Sequence, residues 1–129
     1  MTLGDTNLGN TMKRAVITGL GVVSPLGNNI AETLTSLRET KSGIKFQEAY
    51  KEMGLRCHVA GSIEIDVESM IDRKLRRFMG DAAAFSYVAM QQAIEDAGLE
   101  LDEIKNPKVG LITGSGGGSP SNNILAAEI

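Results

Sequence analysis

Lys-Val-Gly-Leu-Ile-Thr-Gly-Ser-Gly-Gly-Gly-Ser-Pro, residues 108–120, joins a short apolar run to a loop almost without side chains. Residues 108–113 read as a buried strand, because the run is continuous, apolar and cut off at a glycine. Gly114, Gly116, Gly117 and Gly118 then place four glycines in five residues. Glycine opens positive φ and close approach to the backbone, at a cost in conformational entropy. Such a loop is expected where a ligand, a phosphate or another backbone comes too close for a Cβ.

The stretches upstream predict the elements around it. Residues 15–19, Ala-Val-Ile-Thr-Gly, read as another buried strand. A loop over residues 19–27 follows. Asn28 or Asn29 is the expected cap of a helix that runs to about Glu39 and aligns Ile30, Leu34 and Leu37 on one face. Ser42-Gly43 marks a stop, and residues 45–54 carry no clear signal. Residues 58–65 alternate in the manner of a strand. Asp66 or Ser69 is expected to cap a short helix reaching Arg77. The clearest helix spans about residues 81–97, with Asp81 as cap and Gly98 as stop. It is apolar on nearly every face, which predicts burial inside something larger. The order strand, helix, strand, helices, strand, with apolar first and last strands, predicts a layered α/β architecture.

Bulk properties narrow the classes. The chain has 129 residues, 42% of them hydrophobic, enough for one ordinary domain. A net charge of −3 argues against a polyanion binder, and three Phe, two Tyr and no Trp supply few stacking platforms for nucleic acid. A single cysteine, Cys57, excludes an intrachain disulfide and predicts a reducing, cytoplasmic setting. No run has the apolar length of a membrane span, and no secretory signal is visible. Residues 1–11 are polar and Gly-rich and read as a flexible extension before Met12.

Several chemistry-bearing patterns compete with plainer readings. Gly19-Leu-Gly21 follows an expected strand, but a dinucleotide fingerprint needs a third glycine where Ser24 and Pro25 stand, so a strand-to-helix turn is expected. Residues 114–118 lack the Gly-Lys-Ser/Thr ending of a P-loop, which favours a close-approach loop beside a pocket over a phosphate cradle. Cys57 and His58 are adjacent, so on a strand they point to opposite faces and form no dyad. As the only cysteine and histidine they also complete no metal site. Residues 73–77, Arg-Lys-Leu-Arg-Arg, concentrate four of the thirteen basic residues. They read as a solvated helix face or as a docking patch for an acidic partner.

Taken together, these blocks resemble one family. Residues 12–28, Met-Lys-Arg-Ala-Val-Ile-Thr-Gly-Leu-Gly-Val-Val-Ser-Pro-Leu-Gly-Asn, resemble the opening of a β-ketoacyl-acyl carrier protein synthase. Ser42-Gly-Ile, the block at residues 71–82, Ala93-Ile-Glu-Asp-Ala-Gly-Leu and the block at residues 109–120 continue the likeness in the same order. The glycine at position 117 resembles the type I bacterial enzyme, whose type II counterpart tends to carry a bulkier residue there.

The resemblance implies a thiolase-like αβαβα layered fold of two similar halves, incomplete here, with residues 12–129 forming part of the N-terminal half. It implies a homodimer without metal or organic cofactor. It further implies a decarboxylative Claisen condensation of malonyl- with acyl-acyl carrier protein through a cysteine thioester, in fatty-acid synthesis. Cys57 and His58 match none of the family's catalytic motifs, so no catalytic residue is carried over. The chain alone is expected to be inactive, to expose apolar surface and to associate. Arg73, Lys74 and Arg77 match positions that meet acidic residues of acyl carrier protein. Gly117 matches a position beside the acyl-chain pocket. A non-catalytic carrier-docking module, and a nucleotide-binding α/β domain using Gly19-Leu-Gly21, are the alternatives.

Overall fold

The Ala- and Met-rich stretch after Gly80 forms the longest helix of the computed structural model, which describes residues 14–128. In chain order the elements are α1 (Ile30–Arg38), β1 (Ile44–Phe46), α2 (Glu48–Glu52), β2 (Val59–Gly61), α3 (Val67–Met70), α4 (Arg73–Arg76), α5 (Asp81–Asp96), α6 (Leu101–Ile104) and α7 (Pro120–Ala127). The expected extension over residues 1–11 lies outside the described residues.

Local chemistry sets most helix starts. Asn29 is extended, and its side-chain oxygen accepts from the Glu32 amide at 2.9 Å. Glu32 answers by accepting from the Asn28 amide at 2.8 Å. A cap of this kind is worth about 1 kcal/mol. Asp66, not Ser69, caps α3, and its carboxylate accepts from the Ser69 amide. The single helix expected from here to Arg77 is two helices. Ile71 is extended between them at φ −120° and ψ 134°, and Asp72 restarts the helix by accepting from the Lys74 amide at 2.7 Å. The break turns Ile71 into the core, where it is buried. Gly80 rather than Asp81 is the cap of α5, which leaves the Asp81 carboxylate available for a tertiary contact. At its other end Gly98 adopts φ +64°, the left-handed stop that glycine tolerates.

The sheet is smaller than expected. Residues 58–65 contribute only Val59–Gly61, antiparallel to Ile44–Phe46 from the tract without a clear signal. The apolar runs at residues 15–19 and 108–113 form no strands, which corrects the expectation of apolar first and last strands. A strand exists through its ladder, and among the described residues nothing pairs with either run. Their side chains accordingly stay open, and Ile112 is 95% exposed. The described part is therefore a mixed helix-and-strand assembly with one two-stranded sheet.

The core gathers where α3, the Ile71 break and α5 meet. Val67, Ile71, Ala84 and Val88 are buried there, with Val23, Ile65, Met79, Phe85 and Tyr87 packed around them. Ala84 and Val88 are one turn apart on α5. A second side of α5 receives residues 19–22. The Leu20 amide donates to Asp96 at 2.9 Å, and the Val22 amide donates to Gln92 at 3.1 Å. Gly19 and Gly21 lie so close to the helix backbone at Ala93 and Ala89 that a Cβ at either would collide with a carbonyl oxygen. The helix expected to be apolar on nearly every face is thus packed on two sides, and Ala82, Ala83 and Ser86 stay exposed. Among the described residues no helix is long and apolar enough to cross a membrane.

Candidate functional site

The basic cluster occupies α4 and the residue that ends it, and the fold divides its members. Arg73, Lys74 and Arg77 are exposed and take part in no ion pair among the described residues. Arg77 stacks its guanidinium 4.4 Å from the centre of the exposed Phe78 ring, a contact that steadies the cation without neutralising it. Arg76 behaves differently. Its side chain is 19% exposed and lies 2.9 Å from a Glu68 carboxylate oxygen and 3.2 Å from one of Asp81. The Nε–Glu68 approach is an attraction of charges rather than a directed hydrogen bond. Arg76 Nη1 also donates to the Met79 carbonyl. The helical spacing that places Arg73, Arg76 and Arg77 on one face therefore does not make them equivalent.

Beyond Arg77 the chain runs directly into the lip of a cavity. This space of about 530 Å³ lies between the first turns of α5, the glycine loop and the start of α7. Met79, Ala83, Tyr87 and Met90 line it from one side, and Leu111, Thr113, Gly114 and Gly117 from the other. Its wall is largely apolar or made of bare backbone, with the Ser86, Ser115 and Ser119 hydroxyls as polar points. Such a lining suits an apolar ligand with a few polar atoms.

The glycine loop achieves this differently from what the sequence predicts. None of its glycines takes positive φ. A Cβ at Gly114, Gly116 or Gly117 would meet no protein atom within 4 Å. At Gly117 the missing side chain leaves cavity space open rather than admitting another backbone. Sequence reasoning singled out Gly117 but missed the opposing wall. Its signal was present, because positions 83, 87 and 90 recur at helical spacing.

Other candidates separate from this site. The amides of Leu20 and Val22, flanking Gly21, are committed to α5 side chains, so Gly19-Leu-Gly21 offers no phosphate cradle. Cys57 is exposed, with its sulfur 3.5 Å from the Val59 carbonyl oxygen. The His58 ring meets Phe46 edge-on at 5.9 Å between centroids. Neither approaches the cavity lining. Among the described residues no group of three or more His, Cys, Asp or Glu side chains is arranged to hold a metal ion.

Comparison with known proteins gives this geometry its context. Residues 12–128 match the family model described as "Beta-ketoacyl synthase, N-terminal domain". The chain is 53% identical over 118 residues to "3-oxoacyl-[acyl-carrier-protein] synthase 1" of Escherichia coli strain K12, which covers 91% of this chain and 29% of that protein. It is 50% identical over 117 residues to the protein of the same name from Haemophilus influenzae, covering 91% of this chain and 29% of that protein. Identity is 38% over 110 residues to "3-oxoacyl-[acyl-carrier-protein] synthase 2" of Coxiella burnetii, across 84% of this chain and 27% of that protein. The chain thus spans under a third of the length of these relatives. With 117 consecutive residues matched by the family model, it belongs to the β-ketoacyl synthase family, in that family's N-terminal domain.

Proposed function

We propose that this chain supplies the carrier-docking face and one wall of the acyl pocket of a type I-like 3-oxoacyl-acyl carrier protein synthase of fatty-acid synthesis. The observation that carries the reading is the juxtaposition of Arg73, Lys74 and Arg77, exposed and outside every ion pair among the described residues, with the lip of an apolar cavity. A carrier protein presents carboxylates and delivers an acyl chain through one attachment point. A cationic face next to an apolar hole suits both parts of that cargo. Charge-assisted contacts of Arg and Lys orient the carrier, and the cavity takes the chain. Gly117 keeps the cavity wide.

In the reaction this reading implies, an acyl group passes from the carrier thiol to an enzyme cysteine. Malonyl-acyl carrier protein then loses CO₂, and its carbanion attacks the thioester carbonyl and expels the cysteine thiolate. Nucleophilic catalysis of this kind needs a thiolate beside a base. Cys57 and His58, the chain's only cysteine and histidine, lie away from the cavity and take no part. The proposed contribution of Arg73, Lys74 and Arg77 is docking, and that of Gly117 is acyl accommodation. The same reading implies a thiolase-like αβαβα fold, a homodimer and a cytoplasmic site of action.

Holo- and dodecanoyl-acyl carrier protein distinguish the two parts of the site. Wild type is expected to bind the dodecanoyl form several-fold more tightly than the holo form, because apolar burial adds to charge contact. Gly117→Phe should remove most of that preference and leave holo-carrier binding within about twofold, since nothing packs where its Cβ begins. Surface plasmon resonance at matched salt reads both. Equal binding of the two carriers by wild type would remove the acyl-pocket reading.

A further inference from the structure

Residues 64–81 carry the carboxylates Glu64, Asp66, Glu68, Asp72 and Asp81 around the cations Arg73, Lys74, Arg76 and Arg77. A mixed cluster of this kind tends to neutralise itself through whatever opposite charge is within reach. Here every one of these carboxylates is engaged elsewhere. Glu64 holds Lys45 at 2.8 Å. Asp66 and Asp72 accept from the backbone amides of Ser69 and Lys74. Glu68 and Asp81, from α3 and from the first position of α5, both turn to Arg76.

Arg76 is suited to that task. Its fork donates through Nη2 to Asp81 and through Nη1 to the Met79 carbonyl, while its charge attracts the Glu68 carboxylate at 2.9 Å. It is also the least exposed of the four cations, and screening weakens a partly buried pair less than an exposed one. Glu68 and Asp81 themselves remain 68% and 72% exposed. Without Arg76 their carboxylates would be mobile and close in sequence to the exposed cations.

We infer that Arg76 is a positioning residue for the docking face: it sequesters Glu68 and Asp81 and so keeps Arg73, Lys74 and Arg77 available to an acidic partner. The inference rests on the reading of α4 as the carrier-docking element. Arg76 touches no partner itself. It acts by removing two internal competitors.

The test measures binding of Escherichia coli holo-acyl carrier protein, and of a Glu/Asp-rich peptide, to the 129-residue chain immobilised at low density and low ionic strength. Arg76→Met is expected to weaken both about threefold to tenfold, because two freed carboxylates now compete for the cations. Arg76→Met/Glu68→Gln/Asp81→Asn should return to within about twofold of wild type. Arg76→Met/Glu95→Gln/Asp102→Asn, with the same net charge but the neutralised carboxylates elsewhere, should stay weak. Arg76→Lys keeps one charge without the fork and should lose about twofold to threefold, which carries the comparison if Arg76→Met melts below the assay temperature.

Wild-type binding by Arg76→Met, failure of the Glu68/Asp81 neutralisation to restore binding, or equal restoration by the Glu95/Asp102 pair would each overturn the inference. Arg73→Glu/Lys74→Glu tests the underlying reading separately. If the carrier binds that variant as well as wild type, carrier docking through α4 falls. The sequestration is then judged on the peptide by the same comparisons.

Discussion

Gly21→Val is expected to cost about 2–3 kcal/mol, or to strip residues 19–22 from α5 altogether, whereas Gly116→Ala should cost less than about 0.5 kcal/mol. The contrast follows from what each new Cβ would meet. At Gly21 it would collide with the Ala89 carbonyl and crowd the Ala93 amide, all of it helix backbone that cannot yield without breaking its own hydrogen bonds. At Gly116 it would meet nothing within 4 Å. Displacing the segment would also release the Leu20 amide from Asp96 and the Val22 amide from Gln92. Each amide so released loses about 1 kcal/mol of net hydrogen bonding, more where it is shielded from water. Urea unfolding followed by circular dichroism measures the difference. Exchange of the Leu20 and Val22 amides reports the local loss. A Gly21→Val chain as stable and as protected as wild type would show that residues 19–22 do not pack on α5.

The same residues show what the sequence makes legible. A glycine pair after an apolar run announces that something comes close, but the run does not say what. The neighbour is a helix of Ala89, Ala93 and Ala97 rather than a phosphate. Elements whose determinants are local are the readable ones. Asn29 caps α1, Asp66 caps α3, and Gly98 stops α5, because each acts within a few residues of itself. Residues 15–19 and 108–113 have strand-like composition, yet a strand needs a partner, and periodicity carries no information about whether one is present. Ser119-Pro120 is a local start signal for α7 of the same kind, with the Ser119 hydroxyl accepting from the Asn122 amide and proline in the first turn.

The site divides along the same line. The proposed site residues Arg73, Lys74, Arg77 and Gly117 stand in short blocks of sequence. The separation of Arg76 from its neighbours depends on Glu68 and Asp81 arriving from two other helices, which no local pattern encodes. The far wall of the cavity was concealed for a different reason. Ala83, Tyr87 and Met90 look like any apolar helix face until the glycine loop stands opposite them.

Reversing the exposed charges should produce the largest functional effect. Arg73→Glu/Lys74→Glu/Arg77→Glu replaces three attractions to an acidic partner with three repulsions. Each surface pair is modest, but charge-assisted contacts within one interface reinforce one another and set the association rate. The expected loss is about 100-fold or more at low salt, shrinking as ionic strength rises and screening shortens the reach of the field. Folding should be nearly unaffected, because all three side chains are exposed and outside the ion pairs of the described residues. The most direct measurement is therefore a titration of holo-acyl carrier protein against the wild-type chain and this triple variant, at low and at high salt. Saturable, salt-sensitive binding by wild type that the triple variant lacks is the predicted result. Equal affinities for the two chains, or no binding by either, would contradict carrier docking through α4.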